Sequence, residues 1–191
     1  MFHILLLSAA VLVIFQQASA QRTVRMNIER MVTDAGMIVH GKVTNVESSV
    51  DPQTNILSTF VTIAVQENFY GADQPTVTLK MVGGANKRST LKFAEMPIFK
   101  VGEEIYSLFY APSKYGFTSP IGMSQGKFSV SYDAMSKTTI VRNGVNNARL
   151  FTGMKNASAV KLSPATSANA ERLTAEEFST TIRSLVTTLK K

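Results

Sequence analysis

The sequence predicts a mainly β protein: a small barrel of five to seven strands with a short N-terminal helix and an amphipathic C-terminal helix. Three observations support this: one long alternating segment, several shorter ones separated by turn residues, and two stretches of helical periodicity. In the long segment, residues 55–71, β-branched and aromatic residues recur with a period of two, as in a strand with one buried face. At roughly 3.3 Å per residue this strand is too long for a flat sheet in a small domain. We therefore expect it to coil and to belong to a closed or nearly closed barrel.

The first twenty residues have the pattern of a signal peptide. Residues 4–15 are almost entirely apolar, and Ala18 and Ala20 supply the small residues that a signal peptidase requires. We therefore expect a signal peptide over residues 1–20, cleavage after Ala20, and a periplasmic or secreted protein. Because the first three residues include no Lys or Arg, an uncleaved membrane anchor is the alternative.

The composition is that of an exported protein held together by its core alone. The sequence has 191 residues, no cysteine and a formal net charge of +7, all of it contributed after residue 20. Without cysteines there are no disulfides, no thiolate metal ligands and no cysteine nucleophile, which favours a bacterial exported protein. No later stretch reaches the about 20 apolar residues that span a bilayer, so we expect no transmembrane span after signal removal.

Shorter elements surround the long strand. An apolar stripe predicts a helix over residues 24–35, with Gly36 as its C-cap glycine, and a strand over residues 37–46 follows. The basic residues 85–92 are predicted to form a loop. Further strands are predicted at residues 76–82, 104–110, 117–121, 126–132 and 138–142.

The C-terminal part divides into two segments. Residues 152–172 are rich in Ala, Ser, Thr and Asn, which predicts either a flexible linker or a segment that follows the surface. Residues 173–191 predict an amphipathic helix, because Thr174 and Glu177 form a capping box ahead of an apolar stripe. We expect this stripe to pack on the barrel domain of residues 21–151; the alternative is a helix that binds a partner or a membrane surface.

The candidates for catalysis are few. The only histidine after the signal is His40, in a predicted strand, where a structural position is far commoner than a catalytic one. Glu103 and Glu104 are neighbours on the chain and would point to opposite faces of a strand. Gly83-Gly84, although followed by Lys87 and Arg88, lacks the spacing of a phosphate-binding loop. We therefore predict a non-enzymatic protein without a cofactor or a metal.

A cluster of cations in the middle of the chain is the candidate binding surface. Several aromatic residues lie near it in sequence, so a basic face that binds an anionic polymer or glycan is one interpretation. A solvated basic surface that maintains solubility is the other. Nucleic acid is not expected as a partner of an exported protein. The cluster consists of Lys80, Lys87, Arg88, Lys92 and Lys100.

The order of these elements resembles a known family. A short helix leads into residues 34–43 and then the long strand; the turn at residues 99–103 and the segment 122–128 come later. This arrangement resembles the OB-like Greek-key barrel of netrin-like modules and tissue inhibitors of metalloproteinases, in a cysteine-free bacterial exported form, over about residues 27–132.

The resemblance implies a binding module that acts by contact with another exported protein and modulates a secreted protease. In the inhibitors, an N-terminal cysteine binds the catalytic zinc of the protease. The expected new N-terminus here, Gln21-Arg22-Thr23, has no such cysteine, so no inhibitory residue is carried over from the family.

Overall fold

The structure is a computed structural model that describes residues 23–190. The expected signal peptide of residues 1–20, its cleavage site and the first two residues of the expected mature chain lie outside this range. Lys191 lies outside it as well.

The described chain is mainly β, as predicted. The strands are β1 Met37–Val50, β2 Leu57–Tyr70, β3 Thr76–Val82, β4 Gly84–Ala85, β5 Thr90–Leu91, β6 Glu104–Phe109, β7 Lys127–Asp133 and β8 Thr138–Asn143. Six of them form an antiparallel sheet in the order β3-β2-β1-β6-β7-β8, and the two short strands β4 and β5 pair with each other. The predicted long strand is confirmed: β2 is 14 residues long and pairs with β1.

The predicted strand count of five to seven is wrong, because the described residues form eight strands. The additional hairpin of β4 and β5 begins at Gly84 and occupies most of the predicted loop at residues 85–92. In contrast, the predicted strand at residues 117–121 forms isolated bridges rather than a ladder with the described strands, from Phe117 to Lys80 and from Pro120 to Phe109. Pro120 has no N–H to donate, which limits pairing there.

The sheet curls, but no continuous ladder closes it into a barrel within the described residues: β3 and β8 are its two edges. The bridge at Phe117 reaches β3, and the bridge at Pro120 reaches the end of β6. Because these two residues are only three positions apart, the edge strand β3 comes close to β6. Three register shifts between β1 and β2 add local twist that permits this curvature.

Both faces of the sheet are buried, in two separate clusters. In β1, Ile38 packs on one face under the helices, and its neighbour Val39 packs on the other, concave face. In β6, Tyr106 packs on the face under the helices and Ile105 packs on the concave face. All five residues of β6 after Glu104 are buried. The central strands therefore carry apolar residues on both sides, as is usual in a sheet with both faces buried.

The N-terminal helix is shorter than predicted. Helix α1 spans Ile28–Asp34, and the Asn27 side chain caps it by accepting a hydrogen bond from the Arg30 N–H. Val24 lies outside the helix and is 80% exposed. Gly36 follows the C-cap residue Ala35, where a capping glycine belongs, but it does not have the positive φ of one. A glycine is needed at 36 because a Cβ there would lie 2.5 Å from the Ala111 backbone.

The residues that precede the C-terminal helix follow the surface, which is one of the two predicted alternatives. They contain helix α2, Pro164–Ala168, and single 3₁₀ turns at Ala157–Ala159 and Ala170–Arg172. The Glu29 carboxylate of α1 accepts hydrogen bonds from the backbone N–H groups of residues 155 and 156 and from the Asn156 amide. These contacts fix a segment whose composition resembles that of a linker.

Helix α3 spans Ala175–Leu189 and carries the predicted capping box, in which Thr174 and Glu177 exchange hydrogen bonds. Three residues of the predicted stripe, Phe178, Ile182 and Leu185, are fully buried in the cluster beneath the helices. The stripe therefore packs on the sheet. No helix between residues 23 and 190 has both the length and the apolar character needed to cross a membrane.

Candidate binding groove

Lys80, the first of the predicted basic residues, belongs to the fold rather than to a free basic surface. Its Nζ lies 3.0 Å from Asp51 Oδ1 and 4.6 Å from the centre of the Phe117 ring, and its side chain is only 14% exposed. The Thr54 hydroxyl and then the Lys80 ammonium hold the pKa of Asp51 below its usual value, against the opposing effect of burial. Lys80 thus joins the edge strand to the turn between β1 and β2.

Three of the predicted cations, Lys87, Arg88 and Lys92, remain together and exposed on the β4–β5 hairpin. The Asn86 side chain shapes the turn by accepting hydrogen bonds from the backbone N–H groups of residues 88 and 89. Lys100 is also exposed but lies apart, in the turn before β6, where its backbone N–H donates to the Glu103 carboxylate. Three of the five predicted residues thus lie on one hairpin, whereas Lys80 and Lys100 belong to other elements. We call residues 85–92 the basic hairpin.

Beside the basic hairpin lie two adjoining cavities of about 460 and about 400 Å³. The larger cavity lies between the ends of β1 and β2 and the segment before β6, with buried Met81 and Phe99 in its wall. The smaller lies between that same segment and residues 110–123. We call the two together the groove; Val82, Phe93 and Met96 line both cavities.

The segment that crosses the groove exposes apolar side chains to solvent. Ile98 is 77% exposed, Phe93 is 45% exposed and Leu91 is 38% exposed. All three residues line the larger cavity, and Phe93 lines the smaller one as well. Single exposed apolar residues are ordinary, but a cluster around a concave surface is typical of a binding site. The groove therefore combines an apolar lining with a cationic rim.

The double glycine at the end of β3 positions the basic hairpin. Gly83 and Gly84 both have positive φ, 96° and 138°, which turns the chain out of the strand. Gly84 then crosses above Ser48 and Thr59, and a Cβ on it would lie 2.5 Å from both hydroxyl oxygens. These hydroxyls are already satisfied, because they bond to each other at 3.0 Å and Thr59 also donates to the Gly83 carbonyl.

The other residues weighed for chemistry lie elsewhere and have structural partners. His40 Nε2 lies 2.8 Å from Glu104 Oε1, and its ring stacks on Tyr106 with centroids 4.1 Å apart. Glu103 instead accepts hydrogen bonds from Lys127 and Ser129. Burial raises the pKa of Glu103, but these bonds outweigh burial and lower it. In the described part of the chain, no three His, Asp or Glu side chains lie close enough to hold a metal ion.

Sequence reasoning missed the groove, although part of its signal was visible. The apolar residues 91, 93, 96 and 98 lie between a double glycine and a strand, without the period of a helix or of a longer strand. Such residues have no obvious face to bury. Their grouping depends on the curl of the sheet, which no local pattern reveals.

The chain matches no protein-family model, no curated protein and no solved structure.

Proposed function

We propose that this protein is an exported, non-enzymatic binding module that contacts another exported protein through the groove. The observation that carries the proposal is the pair of adjoining apolar cavities crossed by exposed Phe93 and Ile98. Cavities of about 300–1,000 Å³ with a mostly apolar lining are typical of specific ligand sites. Export rests on the signal-like residues 1–20.

The charge around the groove indicates the chemistry of the partner. Residues 84–100 contain four cations and a single carboxylate, that of Glu95. Electrostatic complementarity therefore favours a partner segment in which an apolar side chain is flanked by Asp or Glu residues. The apolar side chain would enter the groove, and the carboxylates would face the basic hairpin.

We also propose a specific barrel type and a class of partner. The curled sheet corresponds to an OB-like Greek-key barrel in which residues 117–121 occupy the place of the closing strand; the parallel bridge from Phe117 to Lys80 supports this. The resemblance to netrin-like modules also makes a secreted protease one class of partner. No described residue is assigned an inhibitory part.

The test is a binding series with labelled peptides that share one leucine or phenylalanine and differ only in the charge of the flanking residues. The expected result is that acid-flanked peptides bind the mature chain and base-flanked ones do not. Phe93→Ala should weaken binding at least about tenfold, because a buried aromatic contact is lost. Tyr132→Ala is the matched control, since Tyr132 is 67% exposed on β7 and lines neither cavity. The proposal would be contradicted if peptide affinity did not depend on the charge of the flanking residues, or if Phe93→Ala left it unchanged.

A second candidate function is the binding of an anionic polymer or glycan by the basic hairpin alone. Lys87, Arg88 and Lys92 favour it, because all three are exposed on one short element. In that case the affinity for a polyanion should fall steeply with salt and should be lost in Lys87→Glu/Arg88→Glu. Phe93→Ala should then change nothing, which separates this function from the first.

A further inference from the structure

Among the strands of residues 23–190, none covers one edge of the second half of β1. Strand β6 pairs with β1 only from Met37 to Lys42, and Val43 then exchanges backbone hydrogen bonds with residues 102 and 103. From residue 44 to residue 50, β1 pairs only with β2 on its other side, as far as the described chain shows. The sheet order alone does not reveal this edge, because β1 is an inner strand over its first half.

The register determines which backbone groups point outward along this edge. The Asp51 N–H donates to the Ile56 carbonyl at 2.9 Å, and the β1–β2 register continues from that pair without a shift back to residue 45. Hydrogen-bonded and non-hydrogen-bonded pairs alternate in an antiparallel ladder. Residues 45, 47 and 49 therefore bond to β2, and Val46, Ser48 and Val50 direct their N–H and C=O groups outward.

The opposite side of β2 agrees with this assignment. Leu57 is the register partner of Val50, and its carbonyl accepts a hydrogen bond from the Gly83 N–H, on the side away from β1. The backbone groups of Leu57 thus face β3. The pair formed by Val50 and Leu57 is consequently a non-hydrogen-bonded one, as the alternation requires.

The same residues that offer free backbone groups also line the groove. The side chains of Val46 and Ser48 form part of the larger cavity, and Val50 is exposed beyond it. An extended segment added to this edge would place alternate side chains on the cavity side. Exposed strand edges are the sites at which proteins bind extended peptides by strand addition.

We propose that β1 binds the partner by strand addition along residues 46–50, with an apolar side chain of the added strand in the larger cavity. This inference rests on the proposed function and specifies how the partner is held. The added strand carries acidic residues that face Lys87, Arg88 and Lys92. A second copy of this chain fits the edge poorly, because it would bring a second basic hairpin to the first. The nearest carboxylate on the edge itself, Glu47, lies one residue out of phase with the cavity side chains.

Amide hydrogen exchange of the full mature chain tests this arrangement, with and without an acid-flanked extended peptide. In the free protein, the amides of residues 47 and 49 should exchange slowly and those of Val46 and Ser48 quickly. Saturation with the peptide should slow exchange at Val46 and Ser48 at least about tenfold, because both N–H groups gain an acceptor. Binding without protection of these two amides would overturn strand addition and leave the groove proposal standing, whereas absence of binding would overturn the proposed function.

A pair of variants provides a second readout. Val50→Pro removes one outward N–H and leaves the hydrogen bonds to β2 in place. Proline is tolerated on strand edges where the N–H points away from the neighbouring strand. Val50→Ala keeps the N–H and serves as the matched control. Peptide affinity should fall about five- to tenfold in Val50→Pro relative to Val50→Ala, the usual effect of one lost hydrogen bond together with the added ring. Equal affinities, or protection of the same amides by self-association without peptide, would contradict the assignment of this edge to a partner strand.

Discussion

Glu177 accepts hydrogen bonds from three parts of the chain at once. Its carboxylate receives the backbone N–H groups of Ser163 and Thr174 and the hydroxyl of Thr166. Burial raises the pKa of Glu177, but these bonds outweigh burial and lower the pKa to about 2. One residue predicted only as half of a capping box therefore also fastens helix α2 to helix α3.

The lowered pKa of Glu177 makes the stability of the protein depend on pH. Because the carboxyl has a pKa of 4.5 in the unfolded chain and about 2 in the folded one, its stabilisation is complete above pH 4.5 and is lost as pH falls toward 2. Glu177→Gln should lower the free energy of unfolding at pH 7 by about 2–3 kcal/mol and much less at pH 2. Urea denaturation at both pH values measures this. Glu176→Gln, at the exposed neighbouring residue, is the control. If Glu177→Gln lowers the free energy of unfolding equally at both pH values, the ionised carboxylate is not the cause.

Among the helices and strands, the sequence predicted those features that depend on residues close together in the chain. The alternation in β2 and the capping box before α3 are both visible in short windows of sequence, and both are confirmed. The start of α1 was misplaced because Val24 continues the apolar stripe, while in the structure Gln125 binds the backbone of residues 24 and 26. A contact about a hundred residues away along the chain is invisible to a periodicity argument.

The pairing of β1 with β2 depends on one glycine inside a strand. Gly41 lies at a register shift, and a Cβ on it would overlap the carbonyl oxygen of Ala64 in the partner strand. Gly41→Ala should therefore push the two strands apart and cost about 1–3 kcal/mol of stability, the usual range for overpacking. Thermal unfolding measures the loss, with Asn45→Ala on the same strand as the control. An unchanged or raised melting temperature for Gly41→Ala would show that this close approach does not exist in solution.

At the scale of the whole molecule, the sheet separates a helix-covered core from a curled, concave core that opens into the groove. Lys190 links the two covering helices, because its ammonium donates to the carbonyls of Thr33 and Ala35 at the end of α1. The sequence allowed the mainly β class and the packing of the last helix to be predicted. It did not allow the groove to be predicted, because the groove arises only where the ends of β1 and β2 meet residues 91–99.

If α3 shares the helix-covered core with the sheet, removal of its central aromatic side chain should destabilise the entire fold. Phe178 is fully buried, with its ring centroid 4.5 Å from that of Phe128 and 5.1 Å from that of Tyr106. Phe178→Ala should cost about 3–5 kcal/mol in one cooperative transition, because it leaves a cavity between helix and sheet. Chemical denaturation followed by circular dichroism measures this, and Thr187→Ala on the exposed side of α3 is the control. Loss of helix α3 alone, with the sheet still folded, would contradict a shared core.

We propose that the groove, and no other face, receives an acid-flanked apolar segment of a partner. Amide chemical-shift mapping of the isotope-labelled mature chain during titration with such a peptide tests it most directly. We expect the largest shifts at residues 46–50, 82–85 and 91–98, with none at His40 or Arg183 on the helix-covered face. Shifts concentrated on helix α3, or spread evenly over the basic residues, would contradict it.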